Sequence, residues 1–181
     1  MRWPTLSLGS VSKVRLSAKP SAIMCWLLLW TLYSILGGFL FKLPPGVAIA
    51  FGLLAFAFHW FSTLIHQLGH VWVGRRVGYA ATGIQFWWIF SSTLYPADEP
   101  ALPTTIHLQR ALGGPALNLL LTIVAGALCL ALLPVGGFVW RFAAILAVQN
   151  LLAFIVGFLP LGFTDGSTLL RLRNMRLAQK R

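Results

Sequence analysis

GVAIAFGLLAFAFHWFSTLIHQLGHVWVG, residues 46–74, is apolar over more residues than a membrane span needs, yet it carries three histidines. About 20 apolar residues cross the hydrocarbon core of a bilayer. A run of this length is therefore a spanning helix with some excess, and it ends on Arg75 and Arg76. Polar side chains inside such a helix are costly and usually functional.

Working outward, three further runs have the same character. Residues 22–41 (AIMCWLLLWTLYSILGGFLF) contain no charge, and Lys42-Leu43-Pro44-Pro45-Gly46 makes the turn into the long run. Residues 111–133 form a third span, stopped by Pro134, and residues 138–159 a fourth, closed by Pro160. The basic stretch before residue 22 resembles the start of a signal peptide. The apolar run is too long for one, however, and no small-residue cleavage site follows, so it reads as a retained first helix. Residues 77–110 do not read as a span. VGYAATGIQFWWIFSSTLYP is aromatic and β-branched and suits a short hairpin or re-entrant piece; ADEPALPTTIHLQR is a proline-punctuated loop. The expected fold is an all-α membrane protein: four transmembrane helices, with an irregular membrane-surface segment between helices two and three.

Composition agrees. The 181 residues suit one integral-membrane domain; 58% are hydrophobic and 9% charged, against about 25% charged in soluble domains. The net charge of +11 would suggest nucleic acid in a soluble protein. Here the basic residues flank apolar runs, where they orient the chain and meet anionic lipid. The expected partner is therefore the bilayer, with no nucleic acid. With both termini cytoplasmic, only Lys42 and Arg141 lie outside; the opposite orientation would place all the other basic residues outside. The tail, residues 166–181, alternates basic residues with Leu169, Leu170, Leu172, Met175 and Leu177, the pattern of an interfacial helix. Cys25 and Cys129 sit inside apolar runs and read as small apolar side chains.

His66 and His70 are four residues apart and share a helix face. Two imidazoles so spaced can reach one zinc ion. HQLGH differs from H-E-x-x-H, the zinc-peptidase motif, by one letter. Zinc needs at least one more protein ligand, and the chain has only three carboxylates: Asp98, Glu99 and Asp165. By the charge count, Asp165 falls at the same leaflet as the histidines. It is either a ligand or the N-cap of the tail helix. His59 is a further seven residues back, about 10 Å along the axis, and reads as a cavity or helix contact. His107 reads as an interface residue.

HQLGH (66–70), GGPALN (113–118) and NLLAFIVGFLPLGFTDG (150–166), in that order, resemble the site-2 proteases, which are membrane-embedded zinc metalloproteases. The resemblance covers roughly residues 46–170. It implies His66, His70 and Asp165 as zinc ligands and Asn118 as a polar group facing the site. On the residues alone, Asn118 could equally be an interhelical hydrogen bond. Gly113, Gly114 and Ala116 suit close helix packing. The chain departs from the family pattern at Gly157, where a second Asn is usual, at Leu161-Gly162, and above all at Gln67, which stands where the family has its catalytic glutamate.

That glutamate is the general base: it takes a proton from the attacking water and later gives it to the leaving nitrogen. An amide keeps the shape but accepts no proton near neutral pH. Zinc binding is expected to persist, and cleavage of a transmembrane-helix substrate to be weak or absent. Three explanations stay open for position 67: an engineered trap of an active protease, a natural pseudoprotease that binds helices without cutting, or a base supplied by Asp98 or Glu99.

Overall fold

The computed structural model describes residues 4–178. Its first elements are two strands, β1 (Leu6–Val11) and β2 (Val14–Ala18), antiparallel across a two-residue turn. Ser12 and Lys13 in that turn have φ of 49° and 59°, the conformation whose twist matches a tight hairpin. Two helices follow, α1 (Pro20–Phe41) and α2 (Pro45–Arg76). Proline opens both, where a missing N–H costs nothing. Next come β3 (Gly83–Trp87) and β4 (Phe90–Leu94), then α3 (Thr104–Leu132), α4 (Gly137–Phe158) and α5 (Asp165–Ala178).

The expectation of an all-α chain with an irregular segment is corrected here. The four strands make one sheet in the order β1-β2-β3-β4. The β2–β3 pair is parallel and the other two pairs are antiparallel. Backbone at a membrane surface needs partners for its N–H and C=O groups, and the N-terminal hairpin supplies them along residues 83–86. Val14, Ala18, Ile84 and Phe86 then pack with Ala22 and Val71, joining the sheet to the start of α1 and the end of α2.

Helices α1 to α4 are each long and apolar enough to cross a membrane, and the chain is an integral membrane protein. Leu27, Leu28, Ile35 and Phe39 of α1 stand exposed, as a lipid-facing surface requires. Helix α2 has 32 residues, about 48 Å at 1.5 Å per residue, so its last turns overhang the hydrocarbon and meet the sheet. Helix α3 starts at Thr104, earlier than the run at residue 111 suggests.

Helices α2 and α3 touch backbone to backbone. A β-carbon on Gly69 would collide with the Gly113 carbonyl, and one on Gly113 with the Gly69 carbonyl. Small residues at such a crossing let membrane helices approach closely. Helix α4 is tied to α2 by Asn150, fully buried, whose amide donates to Ser62 Oγ at 3.2 Å. Helix α5 packs on α3 and α4 with Leu172 buried. The last part of the expected interfacial tail, including Lys180 and Arg181, lies outside the described residues.

Candidate metal centre

The Gly69–Gly113 crossing brings α2 directly against α3, and His66 and His70 stand at that point. Their Nε2 atoms are 3.1 Å apart. Asp165, the first residue of α5, reaches both: Oδ2 lies 3.3 Å from His66 Nε2 and Oδ1 lies 3.3 Å from His70 Nε2. Asp165 therefore turns toward the histidines, and its neighbour Thr164 serves the helix start, its carbonyl accepting from Ser167 N–H at 3.1 Å. The turn before it is seated by Phe163, whose ring lies 4.9 Å from Phe90 and 5.4 Å from Trp87 between ring centres.

These three side chains form a group able to hold a metal ion. Donors 2.0–2.1 Å from a tetrahedral centre sit about 3.3 Å apart, close to the spacings found. Gly114 supplies the room: a β-carbon there would press on Nε2 of both histidines. Two imidazoles and one carboxylate are the donor set of a catalytic zinc site, which keeps a further position open. The residues fit the ion.

One of the two imidazoles is held from behind. His70 donates from Nδ1–H to the Arg110 carbonyl at 2.7 Å, which leaves its Nε2 lone pair for a metal. Nδ1 of His66 is buried without a partner among the described residues. Burial alone would raise the carboxyl pKa of Asp165, but its close contacts with the imidazoles of His66 and His70 outweigh burial and hold the value at about 2. Asp165 is thus an anion throughout the neutral range.

The site opens on a cavity of about 680 Å³ lined by α1, α2, β4, α3, α4 and the turn into α5. Gln67 lines it too, but its amide is engaged. Its NH₂ donates to the Ser91 carbonyl at 3.2 Å, and its Oε1 accepts from the Thr93 hydroxyl at 2.5 Å. A carbonyl can only accept, so the orientation of the amide is fixed by chemistry. Asn118 is buried at the cavity wall with its Oδ1 unpartnered. His59 and His107 also face the cavity, and His59 Nε2 donates to the Ile89 carbonyl at 3.4 Å.

Of the two spare carboxylates, Asp98 is exposed. Glu99 is not the solvated loop residue its neighbours suggest. It accepts from Arg110 Nη1 at 2.9 Å, which commits it to an ion pair. Sequence reasoning missed Arg110, Tyr95, Ser91 and Thr93 as parts of the cavity wall. Arg110 alone left a signal: it is the one charge between the Pro103 turn and the third apolar run.

The chain has relatives in sequence and in fold. No family model matches the chain. Over 151 residues it is 30% identical to a Mycobacterium tuberculosis protein named as a zinc metalloprotease, Rip3, in two strains. The match takes in 82% of this chain and 38% of that protein, so the chain spans well under half the length of the curated relatives it matches. The site-2 protease from Methanocaldococcus jannaschii superposes with a TM-score of 0.66 at 15% identity, covering 96% of this chain and 73% of the other. At that identity the likeness is one of fold.

Proposed function

We propose, from the chain's membership of the site-2 protease family, that it is a zinc-binding intramembrane metalloprotease scaffold whose cleavage of transmembrane segments is slow or lost. The observation that carries this is the joint placement of His66, His70 and Asp165 in a membrane-embedded cavity whose proton-carrier position is the amide of Gln67. Zinc, when bound, supplies a Lewis acid for the scissile carbonyl and makes water a better nucleophile. The chain's own residues do the rest. His66, His70 and Asp165 hold the ion. Helices α2, α3 and α4 supply most of the cavity wall. Asn118 Oδ1, buried and unpartnered, offers an acceptor to a substrate N–H. Gln67 cannot take up a proton. The substrate is a membrane helix that unwinds locally, because a closed helix hides its peptide bonds. Both termini, and with them the metal site, belong to the cytoplasmic side in this reading, which the positive-inside count supports.

A second reading, a helix-binding pseudoprotease, is favoured by the full engagement of the Gln67 amide with β4. One experiment addresses both. The protein is reconstituted with a labelled transmembrane segment carrying a photo-crosslinker and a central helix-breaking pair. Crosslinking within the cavity with little or no cleavage is the expected result. Rapid cleavage by the protein as written would place the base elsewhere, and no crosslink to cavity residues would remove both readings.

A further inference from the structure

Arg110 carries its charge into α3 and is only 6% exposed. Its guanidinium pairs with Glu99 and lies over the Tyr95 ring, 3.2 Å from the ring centre. The same ring also reaches α2 at Gly74, where a β-carbon would come within 3.6 Å of its Cε1. Burial raises the Tyr95 pKa, so the phenol stays neutral beneath the cation. Glu99, Arg110, Tyr95 and Gly74 thus form one stack of contacts linking the loop, α3 and α2. His70 stands one helical turn before Gly74, and the acceptor of its Nδ1–H is the carbonyl of Arg110 itself.

Two features make that carbonyl's position depend on the stack. Pro115 lies inside α3 and has no N–H, so the ladder lacks a bond at the Ala111 carbonyl, next to Arg110. A buried ion pair also adds little net stability over apolar packing, which leaves its presence here to be explained by geometry. We propose that Arg110 is a positioning residue for His70: Glu99 and Tyr95 fix the first turns of α3, and the Arg110 carbonyl then holds the His70 ring with Nδ1–H outward and Nε2 toward Asp165. The inference rests on the metal-site reading for its purpose, though not for its geometry. Arginine suits the role because its planar fork stacks on a ring and pairs with a carboxylate at once, which a lysine ammonium does poorly.

The test uses the full chain in detergent with ¹⁵N-labelled histidine, and compares Arg110→Met, Arg110→Lys and Glu99→Gln. One readout is the exchange-protected Nδ1–H of His70 in the metal-free protein, assigned by its loss in His70→Gln. The other is zinc affinity by chelator competition. Arg110→Met is expected to lose the protected proton and to weaken zinc about 10–100-fold, the usual scale for a residue that orients a ligand. Arg110→Lys should recover part of both, and Glu99→Gln should fall between. A folded Arg110→Met protein with the proton still protected and zinc affinity within about twofold of the parent overturns the proposal. If Arg110→Met does not fold, Glu99→Gln and Tyr95→Leu decide it, and an unchanged Nδ1–H in both overturns it. Should the parent bind no zinc, the metal reading falls, and the Nδ1–H signal still decides whether Arg110 positions His70.

Discussion

Gln67→Glu is expected to raise cleavage of a transmembrane substrate by about 10²-fold or more, the usual worth of a general base. The substitution restores a group that can take a proton from water and hand it to the leaving nitrogen. It also has a cost visible in the cavity wall. The amide NH₂ now donates to the Ser91 carbonyl at 3.2 Å; a carboxylate would set two acceptors face to face. The Thr93 hydroxyl, which donates to Oε1, can still donate to a carboxylate. Losing one bond of this kind costs about 1–3 kcal/mol, which a folded membrane bundle survives. The measurement is initial cleavage rate for parent and variant at equal zinc occupancy, with melting temperature alongside. If the parent already cleaves fast and the variant changes nothing, the base is elsewhere. Asp98 is then the residue to substitute, since Glu99 is held by Arg110. If the variant folds, binds zinc and cleaves nothing, the helix-binding reading replaces the proteolytic one.

Gly114→Ala should empty the metal site without altering a ligand. The added methyl would press on Nε2 of both histidines, the atoms that face the ion. Overpacking costs about 1–3 kcal/mol, while replacing a helical glycine by alanine returns about 1 kcal/mol. The net change in folding is therefore small, and metal loss is separable from unfolding. Zinc content is expected to fall from stoichiometric to trace, as it should in His66→Ala, with the melting temperature of the metal-free protein little changed. Full zinc retention in the folded Gly114→Ala protein would mean that the ion, if present, does not sit between the imidazoles.

Much of this was legible in the sequence because membrane physics leaves few alternatives. Apolar runs between prolines and basic clusters gave the four long helices, since backbone in lipid must satisfy its own hydrogen bonds. The i, i+4 spacing gave the histidine pair, and the scarcity of carboxylates pointed to Asp165. The sheet was hidden for a different reason. Residues 6–18 drew attention for Lys13 and Arg15, yet Leu6, Leu8, Val14 and Leu16 alternate with small or polar residues as a strand does. The two central strands, β2 and β3, each take one side of their pairing from the other hairpin, more than sixty residues away, and no local signal reports such a partner. Glu99 and Arg110 were opaque likewise. Their pairing needs the loop to fold back over α3, and a proline-rich loop with two acids looks solvated until it does. The engagement of Gln67 by Ser91 and Thr93 was unreadable while β4 had no assigned place.

The most direct test is zinc K-edge X-ray absorption on the purified, detergent-solubilised protein loaded with one equivalent of zinc. The account predicts a centre with two imidazole nitrogens and a carboxylate oxygen at about 2.0–2.2 Å, and loss of the imidazole scattering in the His66→Ala, His70→Ala double variant. Sulfur in the shell, or an unchanged spectrum in that variant, would contradict it.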